Sequence, residues 1–377
     1  MEGGQADRRT GGRIPEAAPL EPSPLDLGPG APSDGPPVHP STLVIQTAFL
    51  GDVVLTTPLL SLLAARHGPV DVVTTPAAAG LLESHPAVAA VIPYAKRGDA
   101  RGWRGLRRVG HELRSRRYQR VYLPHRSLRS AALALWSGAP NRIGFADAPA
   151  AITYTTRVVR ASVGHEVERL LALADPLPGE QAIVSLVLGR REYDRVDGWL
   201  AGKRVGSHFA AIAPGSVWAT KRWPYYAELV SRLDCITVVL GGPEDAQLAN
   251  AIVQANPRKA VSAAGAFSLR ESAALIGRAA VLVTNDSAPL HLATAVGTPV
   301  VALFGPTVPE FGFGPRRPGD VALGHGDLPC RPCSRHGPVR CPLGHHRCMR
   351  ELSTEAVLKA VAGVVSTEEL RAICPRS

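Results

Sequence analysis

The sequence predicts an α/β fold made of parallel sheets and divided into two halves. Three observations carry that expectation. Apolar runs of three to six residues alternate with helix-period segments from Leu43 to Phe304, the pattern of strands buried on both faces beneath crossover helices. The 377 residues are 45% hydrophobic, enough for two cores of ordinary size. The stretch Val281–Pro306, VLVTNDSAPLHLATAVGTPVVALFGP, reads by itself as a strand, helix, strand unit, which chirality makes right-handed and parallel.

The first half opens with Leu43–Ile45 as a strand, Gln46–Gly51 as a tight turn and Val53–Ala65 as a helix with apolar residues at 54, 55, 59, 62 and 63. Asp52 falls at this turn, on the C-terminal edge of a parallel sheet where open α/β folds keep their ligand sites. It either caps the helix or faces a ligand. Gly51 beside it allows an unusual backbone angle or a close approach. Val70–Thr74, Val88–Pro93 and Tyr118–Leu123 read as strands, and Ala77–Ser84 and Ser127–Trp136 as helices. No GxGxxG follows the first strand, which argues against a dinucleotide cofactor. Between these elements Lys96–Arg120 holds ten basic residues against Asp99 and Glu112, with Trp103, Leu106, Val109 and Leu113 at helical spacing. Such a helix either packs its stripe on the sheet or lies on an anionic membrane surface. His165–Ala174 reads as a helix closing the half, and Asp175–Glu180, with two prolines, as the start of a linker.

In the second half a helix over 190–202 precedes the strand Phe209–Ala213, which runs into PGSVWATKRWP at 214–224. Gly215 and Ser216 supply a flexible turn with a hydroxyl, Thr220 a second hydroxyl, and Lys221 and Arg222 two cations, a set that suits a diphosphate or a solvated loop. Pro224 can open the next helix. Ile236–Leu240 is a strand ending at Gly241, Gly242, Pro243 and Glu244. Glu244 either binds a ribose or base hydroxyl or starts a helix. Val261–Ala264 and Leu269–Ile276 lead to the Val281–Pro306 unit. There Asp286 or Ser287 can cap a short helix that carries Pro289 in its first turn and is stopped by Gly297 and Pro299. The loop joins hydroxyls, an amide and a helix N-terminus, which suits an anion such as a nucleotide phosphate or serves the helix alone. His291, one turn on, either reaches the same pocket or packs within the helix.

The first forty residues contain nine Pro and seven Gly and read as a disordered, acidic tail. Without it the chain has 39 basic and 26 acidic residues, a net of +13, so an anionic partner is expected. Interleaved aromatics beyond Trp103 and Tyr118 are missing from the basic window, which disfavours nucleic acid. No run of eighteen apolar residues and no export signal is present, so the expectation is a cytoplasmic protein. Cys330, Cys333, Cys341 and Cys348, with His336, His345 and His346 among them, have the reach of a structural zinc site. Free thiols or a redox-labile pair are the alternatives. Cys235 and Cys374 look unrelated to the cluster.

With these loops in place the chain resembles glycosyltransferase family 9, the bacterial lipopolysaccharide heptosyltransferases, and within it the heptosyltransferase II group. The matching pieces are FLGDVVLTTPLL at 49–60, APGSVWATKRWP at 213–224, LGGPEDA at 240–246 and TNDSAPLHLATAVGTPVVALFGPT at 284–307. The resemblance implies a GT-B fold, two Rossmann-like domains with parallel sheets facing across a cleft, divided as tail 1–40, acceptor domain 41–180, linker region 181–205, nucleotide-sugar domain 206–350 and C-terminal helix and tail 351–377. It implies inverting transfer of heptose from ADP-heptose to the lipid A core, with no cofactor required, at the inner face of the plasma membrane. Asp52 would be the general base and Lys221 would offset charge on the leaving diphosphate. Ser216, Thr220, Lys221, Glu244, Asp286, Ser287 and His291 would hold the donor, Asp286 through sugar hydroxyls or backbone N–H groups, while Gly51, Arg104 and Arg107 would lie on the acceptor side. The Cys-rich segment would be a local structural or acceptor-side loop away from the reaction centre. The final helix, Glu355–Val365, often returns to the first domain in such enzymes. Rivals are a family member with another nucleotide-sugar or acceptor, and a binding protein that has lost turnover.

Overall fold

The computed structural model describes residues 40–95, 102–177, 180 and 183–365. The Pro/Gly-rich tail up to residue 39, the Lys96–Arg101 end of the basic window, residues 178–179 and 181–182 around the expected linker, and the C-terminal stretch with Cys374 lie outside the described residues.

Among the described residues, twelve strands form two six-stranded sheets. The first contains β1 (Thr42–Ile45), β2 (Val70–Thr74), β3 (Val88–Pro93), β4 (Arg120–Leu123), β5 (Asn141–Phe145) and β6 (Thr156–Val158), in the order β3-β2-β1-β4-β5-β6. The second contains β7 (Phe209–Ala213), β8 (Ile236–Val239), β9 (Ala260–Ser262), β10 (Val281–Asn285), β11 (Val300–Phe304) and β12 (Val321–Gly324), in the order β12-β11-β10-β7-β8-β9. Every neighbouring pair is parallel. Both sheets thus have the doubly wound order, whose strand direction of travel reverses between β1 and β4 and between β7 and β10. The loops after β1, β7 and β10 leave the sheets at these two reversal points, where a crevice opens.

The central strands β1, β2, β7, β10 and β11 are buried at every residue, as strands covered on both faces are, and β2 buries Asp71 among its valines. Strands β5, β6 and β12 lie outside the sequence expectation. The peripheral β6 and β12 are short and partly exposed, so no sustained apolar pattern announces them. The helix expected over Val53–Ala65 is two helices, Leu50–Leu55 and Thr57–His67. Pro58 has no N–H to continue the ladder, and the Thr56 and Thr57 hydroxyls donate to the Asp52 and Val54 carbonyls instead, at 2.7 and 2.8 Å. Gly51 and Asp52 therefore belong to the first turn of a helix and not to the turn before it.

Two apolar clusters cover the outer faces of the sheets, and a third runs through both halves by way of Val184, Leu186, Val196 and Leu200. At about 1.5–3 kcal/mol per fully buried aliphatic side chain, this shared cluster is the main tie between the halves. The last helix, Thr354–Val364, stays on the second sheet, where Val357 and Val361 pack with Val301, Leu303 and Met349. Among the described residues its expected return to the first domain is not observed, because its buried face is spent on β11 and its neighbours. From the first half, the segment 160–169 reaches across: the Arg169 guanidinium donates to the Phe311 carbonyl at 2.7 Å, and the Glu166 N–H to the Gly312 carbonyl at 2.8 Å. This strap fixes the loop that carries Phe313.

A second crossing point is tighter. Helix Leu50–Leu55 packs on helix Ala288–Val296 with Gly51 against the His291 ring, so close that a β-carbon at Gly51 would lie 2.5 Å from His291 Cδ2. Gly51→Ala should cost about 1–3 kcal/mol by overpacking. Gly80→Ala, in a helix interior with open space around it, should stabilise by about 0.5–1 kcal/mol. Thermal and denaturant unfolding of the two variants checks the pair of signs, and equal effects would deny the close approach.

Candidate active site

Asp52 is placed by helix Leu50–Leu55, where as the third helical residue its Oδ2 accepts the Phe49 N–H at 3.2 Å. Its carboxyl is raised to about 6, first by burial and second by the negative charge of Glu166, against smaller lowering by the Phe49 N–H and by Arg160. Glu166 is itself buried between Arg160 and Arg169. A carboxylate poised near neutrality is suited to accept a proton in a reaction.

Opposite Asp52 stand the loops after β7 and β10. Asn285, at the end of β10 and fully buried, ties them together: its side chain accepts the Trp223 N–H at 3.1 Å and donates to the Pro214 carbonyl at 2.8 Å. Lys221 is brought to Asp286, Nζ to Oδ2 at 2.6 Å, and the Thr307 hydroxyl donates to the same oxygen at 2.7 Å. Asp286 had been expected to meet sugar hydroxyls or backbone N–H groups; its partners here are an ammonium and a threonine. Ser287 stands at the N-cap position of helix Ala288–Val296 but does not cap it, its hydroxyl donating to the Asn285 carbonyl at 3.3 Å; with Pro289 in the first turn and Gly297 in the left-handed conformation at φ 81°, the orphan N–H groups of that helix face the cleft. His291 is buried and pushed down to about 4, first by desolvation, with Asp286 opposing. It is a neutral imidazole.

Asp52, Ser216, Lys221, Asp286, Ser287 and His291 line one cavity of about 200 Å³. A second, of about 260 Å³, shares Asp52 and extends past Arg126, Arg160, Glu166 and Arg335. The structure thus gathers most of the expected residues and leaves five elsewhere. The Thr220 side chain is buried and its hydroxyl donates to the Pro338 carbonyl, so it points away from the cavity. Arg222 spends its guanidinium on the Ser216 carbonyl, at 2.8 and 3.1 Å. Glu244 is exposed in a short 3-10 helix outside either lining. Arg104 is exposed on helix Gly102–Ser115, and Arg107 lines a separate cavity with His111, Arg114 and Trp136. The apolar stripe of that helix, Leu106, Val109 and Leu113, is buried, whereas Trp103 stays 69% exposed.

The cysteine segment differs most from expectation. Among the described residues, no group of three or more His, Cys, Asp or Glu side chains is placed to hold a metal. The thiols do not suit a closed zinc site: Cys333 Sγ donates to the Cys330 carbonyl, and Cys348 is buried with its thiol pushed up to about 11, chiefly by desolvation. The segment does not stand aside from the reaction centre either, because it places Arg335 and His336 in both cavities. Sequence reasoning took His336 only as a histidine of the candidate zinc segment and passed over Arg335, Arg126, Arg160 and Glu166. All of them lie far from Asp52 in the sequence, and no local motif marks them.

The chain matches the model of the family described as Glycosyltransferase family 9 (heptosyltransferase) over residues 106–341. It is 29% identical over 357 residues to lipopolysaccharide heptosyltransferase 2 of Escherichia coli K12, covering 87% of this chain and 99% of that one. It is 31% identical over 340 residues to lipopolysaccharide heptosyltransferase 1 of Pseudomonas aeruginosa, covering 84% and 92%. The solved structure of the E. coli ADP-heptose LPS heptosyltransferase II superposes with a TM-score of 0.69 at 25% identity, over 87% of this chain and 99% of that one.

If Asp52 must be ionised to work, activity falls as the pH drops through about 6 and levels off above it. Neutral His291, at about 4, cannot supply that limb. Asp52→Asn should lower turnover by about 100-fold or more and abolish the limb. Glu166→Gln should move the limb to lower pH by removing a raising charge. A carboxyl raised in the fold favours folding in its protonated form, a contribution whole at low pH and lost as the pH rises through about 6. Asp52→Asn should therefore melt no lower than the parent at pH 8. A pH–rate profile and melting curves check these outcomes.

Proposed function

Since the chain belongs to glycosyltransferase family 9, the heptosyltransferases, we propose that it transfers heptose from ADP-heptose to a sugar of the lipopolysaccharide inner core, with inversion at the anomeric carbon. The observation that carries this reading is a single cavity holding Asp52 from the first half and the Lys221–Asp286 pair with a helix N-terminus from the second. The similarity to lipopolysaccharide heptosyltransferase 2 over nearly that protein's full length supports the donor and acceptor class.

In this reading residues 41–180 bind acceptor, 206–350 bind donor, and 181–205 link them. Asp52 takes the proton from the acceptor hydroxyl as the oxygen attacks the anomeric carbon and the bond to the diphosphate breaks. Charge gathering on the leaving diphosphate is met by Lys221 and by the N–H groups after Ser287, fixed dipoles that need no rearrangement at the moment of reaction. Ser216 binds the diphosphate or nearby hydroxyls. Asp286 holds Lys221 in place from the far side, which keeps a flexible ammonium aimed at the cavity. Arg126, Arg160 and Arg335 give the second cavity a cationic wall for an anionic glycolipid acceptor. Burial and the neighbouring Arg160 and Arg126 hold the Arg335 guanidinium below its usual range, a strain that an anion would relieve.

The acceptor is a membrane lipid, so the enzyme works at the cytoplasmic face of the inner membrane. No helix among the described residues is long and apolar enough to cross a bilayer. Helix Gly102–Ser115 buries Leu106, Val109 and Leu113, yet keeps Trp103, Arg104, Arg107 and Arg108 exposed, a face fit for anionic headgroups.

Purified protein given a panel of nucleotide-sugars and a deacylated core acceptor should consume ADP-heptose in preference to the others; another preferred donor would reject the assignment. Lys221→Ala should lower kcat/KM by about 100-fold, on the scale of losing one transition-state donor. It should also cost about 1–3 kcal/mol of stability, since the partly buried Asp286 would keep only the Thr307 hydroxyl as a partner. Sedimentation with liposomes should show binding to anionic but not neutral lipid, weakened by Arg104→Glu and Arg107→Glu together.

A further inference from the structure

Three rings that the proposed chemistry leaves unused meet in the cavity of Asp52 and Lys221. Phe49 comes from the first half, Trp218 from the loop after β7, and His336 from the cysteine segment. Trp218 and His336 are stacked, with centroids 5.9 Å apart and planes at 14°. Phe49 meets Trp218 edge-on at 5.6 Å and His336 at 6.1 Å. This arrangement is built. The His346 ring lies 2.7 Å from the Thr220 carbonyl, and the Thr220 hydroxyl donates to the Pro338 carbonyl, so the segment is clamped onto the Trp218 loop at two points that follow His336. Just ahead of these clamps Gly337 has φ 83° and passes so near Lys221 that a β-carbon there would lie 3.2 Å from its Cε. The rings are nonetheless wet: Phe49 is 53% exposed, and His336 is exposed too. Partial desolvation, then Arg335 and Lys221, hold the His336 imidazole below its ordinary range.

Apolar ring surface left in water beside a base and a cation needs a partner with both an apolar and a polar aspect. A pyranose has one: C–H bonds on its faces, hydroxyls around its rim. Phe49 and His336 also line the cavity that holds Arg126 and Arg160, whereas Trp218 lines the Lys221 side alone. The cluster therefore stands at the junction of the two cavities, where a transferred sugar must pass from diphosphate to acceptor. We infer that Phe49, Trp218 and His336 form a cradle for the transferred sugar ring of the donor, holding it by its C–H face over Asp52. This inference rests on the reading of the chain as a glycosyltransferase, and it is separable from the choice of heptose.

Titration calorimetry with ADP and with ADP-heptose, in the absence of acceptor, tests it on the full chain. For Trp218→Ala the affinity for ADP-heptose should fall by about 10-fold, the scale of one aromatic contact. Affinity for ADP should stay within about twofold, and Trp218→Phe should recover most of the loss. His336→Ala and Phe49→Ala should shift the same difference in the same direction. If ADP and ADP-heptose weaken equally, the ring serves the nucleotide and the cradle is wrong. If neither weakens, or if the losses only track a lower melting temperature in Trp218→Ala and Trp218→Phe alike, the cluster is a brace between segments and the cradle is wrong again. Should the parent protein bind a different nucleotide-sugar in place of ADP-heptose, the heptose assignment falls. The same comparison, that nucleotide-sugar against its bare nucleotide, then decides the cradle independently.

Discussion

The arrangement of the cleft depends on a contact with no room for a β-carbon: Gly51 of one half resting on the His291 imidazole of the other. Two doubly wound sheets can be joined at many angles, and an apolar cluster shared between them does not choose among these, because burial is non-directional. A glycine against a buried ring does choose. It brings the first turn of helix Leu50–Leu55 down on helix Ala288–Val296, and Asp52, the next residue, is carried to the wall of the cavity that Ser287 and Lys221 line from the other side. The strap from Arg169 and Glu166 to Phe311 and Gly312 fixes the same relation from a second point. Base and donor loops are thus positioned by tight packing in the wall of the cavity itself, which is how an enzyme holds reacting groups within the narrow tolerance that catalysis needs.

The same closeness sets the charges. Three titratable groups of the cavity sit within it on different terms. His291, wholly enclosed, loses its proton to desolvation even though Asp286 pulls the other way, so it contributes shape and no charge. Asp52 feels burial and Glu166 together, and these outweigh the Phe49 N–H and Arg160. Lys221 has a carboxylate partner at 2.6 Å, and that pair repays part of the desolvation each ion would suffer alone. The result is one carboxyl near neutrality facing an ammonium held by another carboxyl. Environments that push similar groups apart mark the division of labour between a proton acceptor and a charge stabiliser.

Much of this was legible in the chain. The uninterrupted apolar runs at β7, β10 and β11 announced parallel strands, and the polar breaks after them announced loops at the sheet edge. Gly297 and Pro299 gave the end of the helix that follows Ser287. Local pattern suffices where an element is specified by its own residues. It failed where an element is specified by its neighbours: β6 is a strand only because β5 lies beside it, and Pro58 broke a helix that the apolar spacing alone would have continued. Side-chain direction was less legible still. Thr220 and Arg222 stand in the expected motif, yet their polar atoms satisfy backbone carbonyls of Pro338 and Ser216. Glu166, which tunes Asp52 from more than a hundred residues away, has no local signature at all.

The cysteine segment shows why residue chemistry and residue placement must be weighed separately. Four thiols and three imidazoles in one short stretch draw attention to metal binding, the strongest chemistry that sequence can name there. In the fold the working parts are the backbone and two other side chains. The Arg331 guanidinium donates to the Phe304 and Thr307 carbonyls at 3.0 and 2.9 Å, and the Cys333 N–H to the Pro306 carbonyl at 2.9 Å, which pins the segment along the turn after β11. From that anchor the chain needs only a residue free to take a positive φ, Gly337, to lay Arg335 and His336 into the cleft. The cysteines sit at the roots of this excursion, Cys348 within the second core and Cys333 on the Cys330 carbonyl. Their most direct contribution to the site is geometric, since they help hold the base of a loop whose tip supplies the cationic and aromatic wall.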